Sequence, residues 1–399
     1  MDHYYENIKE LNSESKTILS IVQKKGPLSK KELTILTGYK LTTLNRFMKK
    51  LLQIKLVEEV GTNDSTGGRP SSVYDINKKD FYVIGVDISR LYTKICLSNL
   101  KIDIIECIDF KMDNKSTPEK VISNIIDIIC QFEKKYKNKT ILGVGIGTVG
   151  PINRDKGIIL NPKNFPCEGW YNIDIVDIIK EKTFLPVILD NGSNLAALSE
   201  YYFGSGREFD NIAYFNCGVG IRTGVIISDK IIRTINDNED SFAHMVIDVD
   251  GKICSCGAKG CIESICSIVS IVDSFKDKVK KGSKTLIDKP LDDIDFTDIC
   301  WAAENSDETA SNVILHAAEV MGTGISNFIK ILNLDYIIMN GPLVNNSILF
   351  YNKVVSTAMD NYYKLYKNPI YFNRGGKFNQ NSIALGGCVN IIKFLFRKG

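Results

Sequence analysis

Apolar positions between residues 15 and 56 recur at helical spacing and are interrupted by glycine. Ile18, Leu19 and Val22 share one face of a helix over Lys16–Lys24, which Gly26-Pro27 stops. Ser29 with Glu32 three residues later is a capping-box pair. It predicts a second helix through Lys31–Leu36 that ends at Thr37-Gly38. A third helix is predicted from near Leu41 to about Gln53. Its apolar positions are Leu41, Leu44, Phe47, Met48, Leu51 and Leu52; the other face carries Thr42, Thr43, Asn45, Arg46, Lys49 and Lys50. Leu56–Val60 and Ser72–Ile76 then read as two strands of a hairpin with a turn-rich tip over Gly61–Arg69.

From Asp80 onward the pattern changes. Phe81–Ile88 is a buried-strand run ending in a carboxylate and a branched residue, with further strands over Thr93–Leu97 and Ile102–Asp109. Pro118–Tyr136 has the stripe of an amphipathic helix. A glycine-rich strand, Ile141–Gly147, leads to Val149-Gly150-Pro151; Leu185–Leu189 is a strand followed by a helix over Asn194–Phe203. Ile212–Phe215 and Gly224–Ile227 form a second hairpin around Cys217-Gly218-Val219-Gly220. A long helix over Ser311–Ile331 and a strand over Tyr336–Met339 follow. Alternating strands and helices predict α/β layers, and the repeated hairpin-then-helix unit predicts two similar lobes with a cleft.

Charge sharpens the reading of the N-terminal segment. The chain is nearly neutral, with 50 Lys+Arg against 47 Asp+Glu, yet residues 1–80 hold 14 against 10. A helix pair joined through a glycine turn, a basic second helix and a hairpin together describe a winged helix-turn-helix. Thr42, Thr43, Asn45 and Arg46 are candidates for base edges. Lys49, Lys50 and the wing residue Arg69 are candidates for phosphates or the minor groove. A small helical domain that binds protein is the alternative.

The N-terminus is polar, and no apolar run approaches membrane-spanning length. The 11 cysteines are therefore expected in a reducing cytoplasm, as metal ligands and small core residues, not as disulfides. His244, Cys254, Cys256 and Cys261 form H-x9-C-x-C-G-x2-G-C. One imidazole and three thiolates complete a tetrahedral structural zinc site, with a glycine turn to return the third thiolate and no position left for a catalytic water. Ordinary buried cysteines are the plainer alternative.

Strand-Asp-loop at Asp87, Gly-x-Gly-x-x-Gly-Pro, the run Asp190-Asn191-Gly192-Ser193-Asn194, Gly218-x-Gly220 and a cysteine cluster ending Gly-Cys-Ile-Glu resemble the ROK family (repressors, open reading frames and sugar kinases) in composition and order. The resemblance covers nearly the whole chain, and the fused winged helix is similar to the family's repressor branch. It implies an α/β chain with an actin-like, hexokinase-type (ribonuclease H-like) two-lobed module behind the winged helix. The expected divisions are 1–79 for the DNA reader, 80–195 for lobe 1 with a helix over 382–399 returning to it, and 196–381 for lobe 2 with the zinc site. The resemblance also implies assembly as a homodimer or homotetramer, and ligand contacts at Asn164, Asn191, His244 and Glu263.

Departures from the kinase pattern carry the functional expectation. Family kinases resemble one another in Gly-Gly-Thr after the first strand, where this chain has Ile88-Ser89-Arg90-Leu91-Tyr92-Thr93. Val219 and Arg222 replace a hydroxyl residue and a glycine of the second phosphate loop. The position of the family's catalytic Asp is Gly192, and that of a sugar-contacting Glu is Ser241. A base, phosphate positioning and magnesium positioning are all needed for phosphoryl transfer. No catalysis and no ATP are therefore expected. The expectation is a cytoplasmic regulator, a repressor of carbohydrate genes, that binds operator DNA and senses a sugar or sugar phosphate. A residual sugar kinase using Asp190 or Asp87, and a regulator controlled by a protein partner, are the rivals. Arg222 is left as either a spacer or an anion-binding group. Glu263 is left as a ligand contact, a helix-start charge or a support for the metal. Asn191 is left as a ligand contact or a turn cap.

Overall fold

The computed structural model of the 399-residue chain describes residues 7–63, 71–162, 164–233 and 241–397. Two compact units are present: residues 1–203 with 383–399, and residues 204–382.

The first unit begins with helices α1 (Ser13–Lys25), α2 (Lys30–Thr37) and α3 (Leu41–Gln53). Short β1 (Leu28–Ser29) joins β2 (Val57–Asn63) and β3 (Ser71–Ile76) in a three-stranded sheet of order β1-β3-β2. Ser29 caps α2 with the complete capping box: its Oγ accepts from Glu32 N at 3.2 Å, and Glu32 Oε2 accepts from Ser29 N at 2.7 Å. Gly38 ends α2 in the left-handed region at φ 71°, where a side chain would be strained. Leu44, Phe47, Met48 and Leu51 form the buried stripe of α3. Leu41 does not join it and is 53% exposed, because it is the first residue of the helix and the stripe begins one turn later. The hairpin tip, residues 64–70, and with it Arg69, lies outside the described residues.

A five-stranded sheet follows, of order β10-β7-β4-β5-β6. It contains β4 (Phe81–Ile88), β5 (Tyr92–Asn99), β6 (Ile104–Lys111), β7 (Thr140–Thr148) and β10 (Val187–Asn191). The small pair β8 (Ile152–Asn153) and β9 (Ile158–Ile159) stands apart. Helix α4 (Pro118–Lys135) buries Val121, Ile122, Ile125, Ile129 and Phe132, and its core cluster also takes in Ile175 and Ile179 of α5 (Ile175–Thr183). Helix α6 (Gly192–Phe203) starts directly where β10 ends. The glycines of β4 and β7 have a packing reason. A Cβ on Gly85 would lie 1.7 Å from Ala384 O, and one on Gly145 2.0 Å from Gly387 O. The C-terminal helix (Ser382–Leu395) thus touches the strand backbones, which only glycine permits.

Cys96 and Cys107 correct the expectation that no cysteine forms a disulfide: they are bonded to each other. They face one another in the antiparallel register of β5 and β6, with Cα atoms 4.1 Å apart, a proximity invisible until the two strands are paired.

The second unit repeats the sheet plan, with order β13-β12-β11-β14-β15. Its strands are β11 (Asn211–Cys217), β12 (Ile221–Ile227), β13 (Lys230–Ile232), β14 (Tyr336–Asn340) and β15 (Tyr371–Arg374). In each unit three antiparallel strands are followed by two parallel ones. Helices α7 (Glu263–Cys266), α8 (Ile268–Lys280), α9 (Phe296–Glu304), α10 (Glu308–Leu332), α11 (Pro342–Asn346) and α12 (Ile348–Tyr363) complete it. The long α10 supplies Ile314, Ala318, Met321 and Ile325 to one core that also holds Phe215, Phe242, Phe275 and Phe350. Among the described residues, no helix is long and apolar enough to cross a membrane.

Candidate functional site

Three groups of side chains carry the chemistry. The first is the outer face of α3. Thr42, Asn45, Arg46, Lys49 and Lys50 are exposed and Thr43 is half-buried, while Leu44, Phe47 and Met48 beneath them are buried. The helical period of 3.6 separates the two sets. The Arg46 guanidinium lies 4.7 Å from the centroid of the Phe47 ring while the residue stays exposed. Such a face presents donors and acceptors of varied reach, as needed for base edges and phosphates.

The second group is the turn from β10 into α6. Asp190 is 1% exposed, and its Oδ1 accepts from Asn191 N at 2.8 Å and from Asn194 Nδ2 at 3.2 Å. Asn191 Oδ1 accepts from Ser193 N at 2.9 Å, so this side chain caps the turn. Gly192 is the first residue of α6, and a Cβ there would come 3.2 Å from Ile383 Cδ1, tight enough that an aspartate would need Ile383 to yield. Asp87, at the end of β4, is 1% exposed and its Oδ2 has no hydrogen-bond partner. Burial raises its pKa from 3.8 to about 7, against the opposing pull of a hydrogen bond with Tyr92 and the charge of Lys94. Both carboxylates are thus held inside the first unit, Asp190 within the β10–α6 turn and Asp87 at the end of β4. Asn164 is exposed with a left-handed φ of 61°.

The third group lies in the second unit. Gly218–Gly220 is the short turn between β11 and β12, and Arg222 follows on β12. Arg222 Nη1 donates to Glu263 Oε2 at 2.6 Å, and Ile221 N donates to the same oxygen at 2.9 Å. Gly220 sits against this pair: a Cβ there would be 2.7 Å from Glu263 Oε2. Arg222 thus has an anion, and Glu263, the first residue of α7, a cation, within the same unit. Forty-one residues separate them, and no local pattern announces the contact.

Beside Glu263 is the His/Cys cluster. Ligand atoms of His244, Cys254, Cys256 and Cys261 all lie within 4.8 Å of one another. Bridges Val246–Cys261 and Ile253–Lys259 fold the loop back on itself. Cys254 N donates to Ala258 O at 2.8 Å, Gly257 N to Cys254 O at 2.9 Å and Gly260 N to Lys252 O at 2.9 Å. Gly260 has φ 70°, and a Cβ there would meet Asp248 O at 1.5 Å. The return of the third cysteine thus depends on glycine. Burial, then the adjoining Cys256 thiol, push the Cys261 thiol up to about 12. Four soft and borderline donors converging on one point can hold a metal ion. Glu263 N donates to Ala243 O at 2.9 Å, tying this loop to the Arg222 pair.

One set of contacts had no signal in the sequence. Lys101, in the turn after β5, is ion-paired to Asp75 of β3 at 2.8 Å and donates to Val22 O and Gly26 O of the N-terminal segment. A single lysine in a turn has nothing local to distinguish it.

The whole chain is similar to known proteins. It is 28% identical to a xylose repressor of Bacillus subtilis (strain 168) over 381 residues, 95% of this chain and 94% of that protein. It is 24% identical to an N-acetylglucosamine repressor of Escherichia coli O157:H7 over 338 residues, 84% of this chain and 81% of the other. In structure it matches a ROK family transcriptional regulator, a homolog of the E. coli MLC protein. The TM-score is 0.80 at 22% identity, covering 98% of this chain and 97% of that one. A ROK hexokinase from Thermus thermophilus matches with TM-score 0.65 at 20% identity, covering 97% of its own length but 77% of this chain. The ROK family profile matches residues 83–389, the greater part of the chain, and the protein belongs to the ROK family.

Proposed function

We propose that this protein is a transcriptional repressor of carbohydrate-uptake or catabolic genes that reads operator DNA through α3 and senses a sugar or sugar derivative in its ROK module. The observation that carries the reading is the face of α3: five exposed polar or basic side chains and Thr43 backed by a buried apolar stripe, in a helix pair followed by a hairpin. The similarity to a xylose repressor over 95% of this chain and to an N-acetylglucosamine repressor over 84% of it supports the reading. Thr42, Thr43, Asn45 and Arg46 meet base edges in this reading. Lys49, Lys50 and Arg69 of the wing meet phosphates or the minor groove. Asn164 and Asn191 in the first unit, and His244 and Glu263 in the second, are the effector contacts in this reading, with His244 shared with the metal.

In the same reading the cluster of His244, Cys254, Cys256 and Cys261 holds structural zinc, which fixes the segment leading into α7. The protein is not a kinase. Gly192 offers no base at the position of the family's catalytic Asp, and Arg222 stands where the family's phosphate loop carries a glycine and is paired with Glu263. A homodimer or homotetramer in the cytoplasm presents two readers to two half-sites, and effector binding shifts the population that fits the operator.

The test is binding of the purified chain to duplex DNA from its own upstream region. A scrambled duplex serves as competitor, and a panel of sugars and sugar phosphates is added in turn. Specific binding abolished by one sugar supports the whole reading. Specific binding indifferent to every sugar removes the sugar effector and favours control by a protein partner. ATP-dependent phosphorylation of any sugar in the panel overturns the non-enzymatic assignment.

A further inference from the structure

The first unit contains a short structural route between the β10–α6 turn and the DNA reader. At its start, Asp190 and Asn191 are bonded onto the first turn of α6 through Asn194 and Ser193. The helix itself is buried from Gly192 through Tyr201. It is 12 residues long, which at about 1.5 Å per residue makes a rod of about 18 Å. The C-terminal helix holds it closely, since a Cβ on Gly386 would lie 1.9 Å from Leu195 O. At its far end Tyr201 and Tyr202 receive the ammonium of Lys24, which lies 4.6 and 4.5 Å from the two ring centroids. Lys393 of the C-terminal helix donates to the Tyr202 hydroxyl and lies 4.3 Å from the same ring.

Lys24 is in the last turn of α1, the first helix of the DNA reader. Its neighbour Gln23 is 6% exposed, and Gln23 Nε2 donates to Leu100 O at 2.9 Å. Lys101 then fastens the same helix end and the wing strand together, through Val22 O at 3.1 Å, Gly26 O at 3.0 Å and Asp75 Oδ1 at 2.8 Å. Gly26 leaves no slack, because a Cβ there would be 2.5 Å from Asp75 Oδ1. Buried hydrogen bonds and a largely buried ion pair define one docked arrangement, whereas a flexible tether would leave the reader free.

We propose that α6 is the transmission element between the Asn191 turn and the DNA reader, with Tyr201 and Tyr202 on Lys24 as its output contact. The fixed joint at Lys101, Asp75 and Gln23 is the pivot. A shift of α6 along or about its axis moves the tyrosine pair. The end of α1 must then follow or lose its cation–π contacts, while the Lys101 joint keeps the reader attached. Lys24 is a positioning residue in this scheme: it touches neither DNA bases nor effector. The inference rests on the effector reading of the Asn191 turn given above.

Hydrogen–deuterium exchange on the full chain tests it without any sugar or DNA, so its outcome is separable from the fate of the effector reading. Asn191→Ala releases the cap on Ser193 and perturbs the start of α6. In the wild-type background this change is expected to speed exchange in residues 13–25 by about fivefold. In a Lys24→Ala background the effect on residues 13–25 is expected to vanish while the effect inside α6 persists, and Lys24→Arg restores it. Tyr202→Leu in place of Lys24→Ala gives the same loss by the other partner. Circular dichroism melts keep only variants that fold, and Asn194→Ala, which releases the Asp190 bond at the same turn, replaces Asn191→Ala if the latter does not. No change in residues 13–25 with the wild-type Lys24, or an equal change with and without it, overturns the proposal. Failure of every sugar to bind would instead remove the effector reading and leave the α6 coupling standing.

Discussion

Arg222 Nη1 donates to Glu263 Oε2 at 2.6 Å, and that bond joins two groups whose roles the sequence treats separately. The side chains are 21% and 14% exposed, so neither is well hydrated. Removing one partner leaves the other charge short of both water and a counter-ion. Arg222→Ala is therefore expected to cost about 1–3 kcal/mol of stability, read from urea unfolding of the full chain. Glu263→Gln is expected to cost less, because its amide oxygen still accepts from Ile221 N and from Arg222. Equal losses in the two variants would show that the carboxylate charge, not its hydrogen bonding, matters there.

Asp87 predicts a pH dependence of opposite sense to that of most carboxylates. Its folded-state pKa is raised from 3.8 to about 7 by burial. The fold therefore prefers the protonated acid. This contribution to stability is fully present below the unfolded value of 3.8 and is lost as pH rises through about 7. Asp87→Asn keeps the shape and removes the charge. It is expected to raise the melting temperature at pH 8, with a gain of a few kcal/mol since each pKa unit is worth about 1.4 kcal/mol. At pH 4 the two proteins should melt together. A gain of the same size at both pH values would sink the assignment.

These two groups also mark how far the sequence could be read. Ser29 with Glu32, Gly38 after α2 and the cysteine spacing act through bonds within a few residues, and each appears where the local pattern places it. The stripe of α3 is equally local, apart from Leu41, whose position in the first turn removes it from the core. Contacts between segments far apart along the chain were not legible. Cys96 meets Cys107 only in the register of β5 and β6, Lys101 meets Asp75 across 26 residues, and Arg222 meets Glu263 across 41. Gly145 reads only as part of a glycine-rich family run and Gly85 carries no signal of its own, yet both are fixed by a helix nearly at the other end of the chain.

The metal cluster predicts a selective loss. Cys256 is the exposed member of the four, so its sulfur contributes little to the core and much to any bound ion. Cys256→Ser is expected to drop zinc content well below about one ion per chain and to lower the melting temperature. Cys130→Ser, on half-buried ground in α4, serves as control and should leave zinc unchanged. Metal analysis by inductively coupled plasma, beside thermal melts, separates the two. Normal zinc stoichiometry in Cys256→Ser would remove the four-ligand assignment.

Arg46 and Lys49 sit on the same exposed face of α3 but are expected to fail differently. The Arg46 guanidinium is planar, rests by Phe47 and can pair with two acceptors on one guanine edge. Arg46→Ala should weaken specific binding by about 1–3 kcal/mol and relax preference at one position of the site. Lys49, an ammonium on a flexible stem, suits phosphate. Lys49→Ala should weaken binding to all duplexes alike and reduce the slope of log affinity against log salt by about one. Fluorescence anisotropy with specific and scrambled duplexes over a salt series reads both effects. Unchanged affinity in Arg46→Ala would move the base-reading role away from the start of α3. A salt slope unchanged in Lys49→Ala would take Lys49 off the DNA backbone.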